Sequence, residues 1–144
     1  MENTLQDNDY LIASKVSYHL HPPQRGDIVI FKPTNDATHD YIKRIIGLPG
    51  DRIRISHAEV FINGHLLKEP YLPEPWTYID TWHDGTETTV PADSYFVMGD
   101  NRNHSTDSRA LGFQHRDDFL GKAWVRIWPL SAVRIFTPES NFAN

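Results

Sequence analysis

Apolar residues recur along this chain with a short period. Asp27-Ile28-Val29-Ile30-Phe31, Tyr41 to Ile46, Arg52-Ile53-Arg54-Ile55, Glu59-Val60-Phe61-Ile62, Tyr95-Phe96-Val97-Met98 and Lys122 to Trp128 are short runs rich in β-branched and aromatic side chains. Each predicts a strand. Amphipathic helical patterns of ten or more residues are missing. Turn formers punctuate the runs at Arg25-Gly26-Asp27, Leu48-Pro49-Gly50-Asp51 and Asn63-Gly64, the last being a hairpin signal between Phe61-Ile62 and Leu66-Leu67. The pattern predicts a mainly β fold, a strongly bent antiparallel β sandwich or partly closed barrel that hides its strand edges. Between about Glu69 and Thr89 the alternation gives way to Pro73, Pro75, Trp76, Tyr78, Trp82, His83, Asp84 and Gly85. This stretch is read as a small inserted lobe, residues 69–89. Its Trp76 and Trp82, with Tyr78, either cap the core or sit at the headgroup level of a membrane surface.

At 144 residues with 39% hydrophobic content, the chain can bury one core, so residues 1–144 are expected to form a single domain. A net charge of −5, from 14 basic and 19 acidic residues without a Lys/Arg run, speaks against a nucleic-acid partner. The absence of cysteine excludes disulfides and thiolate zinc sites. The eight histidines at 19, 21, 39, 57, 65, 83, 104 and 115 fall at no recurring ligand spacing, so neither a metal nor any other cofactor is expected. No stretch is long and apolar enough for a membrane span, and the polar opening from Met1 is not a signal peptide.

Two segments carry candidate chemistry. In Tyr41-Ile42-Lys43-Arg44-Ile45-Ile46, a period of two puts Tyr41, Lys43 and Ile45 on one face and Ile42, Arg44 and Ile46 on the other, so each face sets a cation between apolar side chains. Desolvation disfavours an ammonium and lowers a lysine pKa, which lets lysine serve as a general base near neutral pH, whereas arginine stays protonated. Lys43 is therefore the candidate base, against the plainer reading of a lysine that snorkels or guards a sheet edge. In the second segment, the strand Tyr95 to Met98 runs into Gly99-Asp100-Asn101-Arg102-Asn103-His104-Ser105-Thr106-Asp107-Ser108-Arg109. Asp107 and Arg109 can form a charge-assisted pair, and Ser105 can hold a neutral lysine amine. The plainer reading here is an Asx-rich turn with a surface ion pair.

Taken in order, Arg25-Gly26-Asp27 with its strand, Tyr41-Ile42-Lys43-Arg44 through Gly50-Asp51, Gly99-Asp100-Asn101-Arg102 through Ser105, Asp107-Ser108-Arg109, and Gly121-Lys122-Ala123 resemble the type I signal peptidases. The resemblance runs from Met1 to about Pro129. It implies a serine endopeptidase with lysine as base, anchored at the extracytoplasmic face of the bacterial cytoplasmic membrane and acting on signal peptides of secreted preproteins after Ala-x-Ala-like sites. By that resemblance Lys43 is the base and Ser105 positions its amine within hydrogen-bond reach. Asp107 with Arg109 braces the loop, and Asp100 supports the same region. Tyr41 and Ile42 match the strand that binds substrate in extended form.

The family's nucleophilic serine precedes a methionine, a variable residue, threonine and leucine. Met1-Glu2-Asn3-Thr4-Leu5 matches this motif from the methionine onward, so the serine would be the residue before Met1, and Met1 and Leu5 would line the substrate pocket. The expectation is that the chain as written starts just past its nucleophile and its membrane anchor, and is inactive alone. The alternative reading is an inactive module that holds extended segments of secreted or pilus proteins without cutting them.

Overall fold

The computed structural model describes residues 10–14, 18, 21–33, 36, 38–72, 75–77, 85–128 and 134–135. Among the described residues, eleven strands are β1 (Tyr10–Ser14), β2 (Ile28–Phe31), β3 (Tyr41–Gly47), β4 (Arg52–Ser56), β5 (Glu59–Ile62), β6 (His65–Leu66), β7 (Thr88–Thr89), β8 (Ser94–Met98), β9 (Gln114–His115), β10 (Phe119–Trp128) and β11 (Arg134–Ile135). A short helix, α1, spans Ser108–Leu111, and Arg116–Asp118 form a 3₁₀ turn. Every pairing is antiparallel. A seven-stranded sheet runs β1-β10-β2-β3-β8-β9, with β11 also on β10, and a four-stranded sheet runs β6-β5-β4-β7. The mainly β expectation holds, and the barrel is not closed: β1 and β9 lie at opposite ends of the larger sheet's order.

The central strands β3 and β8 are buried on both faces, which explains why they read as nearly continuous apolar runs. Alternation divides them between two cores. Ile46, Phe96 and Met98 join Ile53, Ile55, Val60, Ile62 and Val90 of the smaller-sheet region in one cluster. Ile45, Tyr95 and Val97 join Val29, Phe31, Tyr18 and Phe119 in the other. Two successive residues of β3 therefore point into different cores. Lys43 lies opposite Val29 and Tyr41 opposite Phe31, so Lys43 rises on the face of the second cluster.

The predicted hairpin forms between β5 and β6, with Phe61 opposite Leu66 and Ile62 opposite His65. Asn63 and Gly64 adopt φ of 52° and 85°, the left-handed pair that a two-residue turn requires. The β4–β5 hairpin makes the same kind of turn through His57 and Ala58, at φ of 51° and 61°. That turn carries no glycine or asparagine to announce it.

Trp76 is only 8% exposed and packs in the first cluster, which decides between the two readings of this side chain: it belongs to the core. Burial of the indole is incompatible with insertion at a headgroup layer. Trp82 and Tyr78 lie outside the described residues. Among the described residues, no helix is long and apolar enough to cross a membrane. Trp76→Ala is expected to lower stability by roughly 3–5 kcal/mol, as for a large aromatic removed from a core. The check is the urea midpoint at constant slope. A loss within about 0.5 kcal/mol, typical of a surface site, would return Trp76 to the surface reading.

Candidate active site

Lys43 is 8% exposed. Among the described residues its amine makes no hydrogen bond or ion pair, and its nearest recorded aromatic contact is the Tyr41 ring, 5.5 Å from Nζ to the centroid. Burial pushes its pKa below the ordinary lysine value, Asp107 opposes the shift, Arg109 adds to it, and Asp100 opposes it. The groups near it are thus of both signs, and the loss of water dominates.

The sheet register explains what faces this amine. Arg44 lies opposite Met98 and Ile45 opposite Val97, so one further step brings Lys43 opposite Gly99, where β8 gives way to the polar loop. A Cβ at Gly99 would fall 2.1 Å from Ser105 Oγ, 2.7 Å from Ser105 Cβ and 3.6 Å from Lys43 Cδ. Glycine at this position leaves the space that the Ser105 side chain fills, and the same spot abuts the Lys43 stem. The expected Lys43–Ser105 hydrogen bond is not made. Ser105 Oγ lies close enough to the Asp107 carboxylate to help keep it ionised, yet has no hydrogen bond of good geometry. Catalytic hydrogen bonds are often long or misaligned without substrate.

The loop that delivers Ser105 has no ladder to hold it, and buried side chains take that role. Asp107 is fully buried and caps α1. Its Oδ2 accepts the Gly99 N–H at 3.0 Å and its Oδ1 accepts the Arg109 N–H at 3.2 Å. The Arg109 guanidinium donates to both oxygens at 2.9 Å and to the Arg102 carbonyl at 2.9 Å. Burial raises the Asp107 pKa, but the Arg109 hydrogen bond and charge and the Gly99 N–H hold it below the usual carboxylate range. Ser108 Oγ accepts the Val97 N–H at 2.9 Å, tying α1 to β8.

On the opposite sheet face, Arg44 donates to both oxygens of Asp100 at 2.9 and 2.8 Å and to the Gly26 carbonyl at 3.1 Å. Tyr71 lies beneath its guanidinium, 4.1 Å from centroid to Cζ. Two adjacent cations thus have opposite fates: Arg44 is bidentately paired on one face, and Lys43 is kept from ion pairs on the other.

A family model described as signal peptidase, peptidase S26, matches residues 1–128. The chain is 47% identical to a probable signal peptidase I-2 of Synechocystis, over 97% of this chain and 64% of that protein. It is 43% identical to the signal peptidase I of Leptolyngbya laminosa, over 96% of this chain and 70% of that protein. It belongs to the signal peptidase I family. The chain spans just under two thirds of the length of the Synechocystis relative. A crystal structure of a signal peptidase I from Enterococcus faecalis superimposes with a TM-score of 0.60 at 35% identity, covering 71% of this chain and 97% of that one.

The structure brings Lys43, Ser105, Asp107 and Arg109 into one cluster. Asp100, the second residue of the same loop, accepts both hydrogen bonds of Arg44 on the other sheet face. Tyr41 and Ile42 are half-buried next to Lys43 and pair with Phe31 and Ile30 of β2. Among the described residues their other edge has no strand partner, because β8 pairs only from Arg44 onward. Met1 and Leu5 lie outside the described residues. The sequence reading missed the role of Gly99, of Ser108 and of the Glu69 and Tyr71 contacts with the loop's arginine described below. Only Gly99 left a signal, as the residue that interrupts the inward-facing alternation after Val97.

Asp107 supplies a pH test of the bracing. Its folded-state pKa is depressed, so it stabilises the fold above the unfolded carboxylate value of about 3.9, and that contribution fades as pH falls through the lower folded value. Asp107→Asn should cost roughly 3–5 kcal/mol at neutral pH, as for breaking a buried pair. The deficit should shrink below about pH 3.9, as read from urea midpoints across the acid range. A deficit that stays constant to the lowest pH at which both proteins fold would mean that the ionised pair does not brace the loop.

Proposed function

We propose that this chain is the lysine-bearing extracytoplasmic part of a type I signal peptidase, which removes signal peptides from secreted preproteins after small-x-small, Ala-x-Ala-like sites. The observation that carries this reading is the buried Lys43 amine, without a counter-ion among the described residues and beside a serine hydroxyl seated over glycine. A module that only holds peptides has no use for a neutral amine there. Membership of the family supports the substrate class, and its membrane location follows from the same reading.

In this mechanism the serine supplied by the position before Met1 attacks the scissile carbonyl carbon. Neutral Lys43 Nζ takes the hydroxyl proton as the C–O bond forms, then gives it to the departing amine as the C–N bond breaks. The acyl-enzyme is hydrolysed by a water that attacks the acyl carbon as its proton passes to the same amine, which then returns that proton to the serine oxygen as the acyl C–O bond breaks. Ser105 orients the amine, Asp107 and Arg109 fix Ser105's loop, and Asp100 acts through Arg44. The edge of β3 at Tyr41 and Ile42, which has no strand partner among the described residues, suits an extended substrate added as a strand, whose backbone hydrogen bonds tolerate varied sequences. Met1 and Leu5 belong to the pocket wall in this reading.

The chain of 144 residues is expected to fold without cleaving a preprotein carrying an Ala-x-Ala site, and the chain extended upstream through the serine is expected to cleave it. Lys43→Ala in the extended chain should abolish turnover. Cutting by the unextended chain, or activity that survives Lys43→Ala, overturns the assignment. An extended chain that binds the preprotein and leaves it intact under lipid or detergent would favour the holding module.

A second outcome concerns pH. The base works when neutral, so kcat/KM of the extended chain should rise with pH through the Lys43 pKa. Burial lowers that pKa, so the acid limb should lie below the ordinary lysine value of about 10.4. A limb at the ordinary value would remove Lys43 as a desolvated base.

A further inference from the structure

The loop from Gly99 to Arg109 carries a second buried cation that the mechanism above does not use. The Arg102 side chain is 2% exposed, and Glu69, 8% exposed, is its ion-pair partner. The contact is bidentate: Arg102 Nη1 donates to Glu69 Oε2 at 2.8 Å, and Nη2 donates to Oε1. Tyr71 completes the arrangement, donating its hydroxyl to Glu69 Oε1 at 2.6 Å and accepting from Arg102 Nη2 at 3.3 Å. Burial alone would lower the Arg102 pKa, and the Glu69 carboxylate more than offsets it. Trp76 lies between the two loop arginines, its ring 5.5 Å from Arg102 Cζ and 5.3 Å from Arg109 Cζ. Asn103 Oδ1 accepts the Thr77 N–H at 2.9 Å. The first arm of the 69–89 stretch therefore backs the loop at four places.

What Arg102 does with its remaining donor makes the pair more than a surface clasp. Its Nε–H donates to the Gly99 carbonyl at 3.1 Å, and its own carbonyl accepts from Arg109 at 2.9 Å. Gly99 is the residue whose missing side chain makes room for Ser105 against Lys43. Glu69 thus acts on a continuous chain of contacts, through Arg102 to Gly99 and on to Ser105 and Lys43. A planar, bidentate guanidinium–carboxylate contact fixes direction as well as distance.

We propose that Glu69, with Tyr71, is a positioning residue for the Lys43 base: the Glu69–Arg102 pair sets the backbone at Gly99 so that the Ser105 hydroxyl closes over the Lys43 amine. Glu69 lies far from Lys43 in sequence and does not touch the reacting atoms. This proposal rests on the signal peptidase reading of the site.

Without Glu69, Arg102 becomes a buried charge lacking its carboxylate and turns toward water, releasing the Gly99 carbonyl. Ser105 then loosens, water reaches the amine, and Lys43 regains part of its ordinary basicity. The charged groups acting on Lys43 are Asp107, Arg109 and Asp100, all from the loop, with the Lys122–Asp27 pair, 2.6 Å apart, farther along the same sheet face beyond Val29. Glu69→Gln removes a negative charge and leaves Arg102 uncompensated, which by charge alone would lower the Lys43 pKa, so a rise in that pKa reports exposure to water.

Two measurements test this. In the 144-residue chain itself, the Lys43 Cε resonance of lysine-labelled protein gives the Lys43 pKa without any nucleophile; Glu69→Gln and Tyr71→Phe are compared with the parent. The expected result is a pKa raised by about one unit in Glu69→Gln, and by less in Tyr71→Phe, as partial rehydration of a buried amine requires. In the serine-extended chain, Glu69→Gln should lower kcat by about 10²-fold, the scale of a misplaced catalytic group. KM should change little, and the acid limb of the pH profile should move up with the Lys43 pKa. Glu69→Asp should recover part of the activity. An unchanged Lys43 pKa overturns the proposal. So does failure of Glu69→Gln to fold, because the pair would then hold the fold rather than aim the base. Full activity of the extended chain carrying Lys43→Ala is a different failure: it sinks the signal peptidase mechanism itself.

Discussion

A primary amine is unprotonated near neutral pH only where its ammonium form is disfavoured, and burial among apolar side chains disfavours that form at Lys43. The means is strand alternation. Lys43 and Arg44 are neighbours in sequence, yet the pleat sends one into the core of Val29, Ile45 and Val97 and the other onto Asp100. A buried guanidinium cannot shed its proton and needs a bidentate acceptor. A buried amine left without one can become neutral. Exchanging the two residue types would leave an unpaired arginine on one face and a salt-bridged lysine on the other, and neither could serve as a base.

The Gly99–Arg109 loop, which seats Ser105 beside the Lys43 stem, has no strand ladder to keep it rigid. Three arginine–carboxylate contacts supply the rigidity: Arg44 with Asp100, Arg109 with Asp107, and Arg102 with Glu69. All six side chains are buried or nearly so, where breaking a pair is far more costly than at a surface. Such pairs add little net stability compared with apolar packing. Their value here is directional, because each guanidinium also binds a backbone carbonyl: Gly26 for Arg44, Gly99 for Arg102 and the Arg102 carbonyl for Arg109. The loop is tied at its backbone by side chains that cannot leave their carboxylates cheaply.

The central strands were legible in the sequence because burial on both faces concentrates β-branched residues there, and the β5–β6 hairpin was legible because Asn63-Gly64 can adopt positive φ without strain. The β4–β5 turn was not, since His57 and Ala58 give no sign of the left-handed conformation they adopt. Two-residue strands such as β7 and β9 leave too few positions for a period to appear. At the site, the alternating pattern set a cation on each face of the strand, the chemistry of lysine against arginine singled out Lys43, and the loop's composition identified its polar character. Composition could not say that Glu69 belongs to Arg102, because the two are 33 positions apart and joined only by the fold. Trp76 was ambiguous for a related reason: an indole in a proline-rich stretch reads the same whether it faces lipid or, as here, two stacked arginines.

The proposed substrate edge and the proposed base occupy consecutive residues of one strand, and this has a physical consequence. Hydrogen bonds to an added strand lie in the plane of the sheet, whereas side chains stand perpendicular to it. An extended peptide paired along Tyr41 and Ile42 would therefore run beside Lys43 without displacing its side chain, and its backbone would cover the flank of β3 that β8 leaves open. Coverage of that flank removes water from the neighbourhood of the amine and depresses its basicity further, so binding and activation of the base reinforce each other. The proposed selectivity for small side chains would follow from the same geometry. A residue on the Lys43 face of the added strand projects toward the region already filled by the Lys43 stem and the Ser105 hydroxyl over Gly99, and alanine-sized groups fit there where larger ones would force the loop off its arginine anchors.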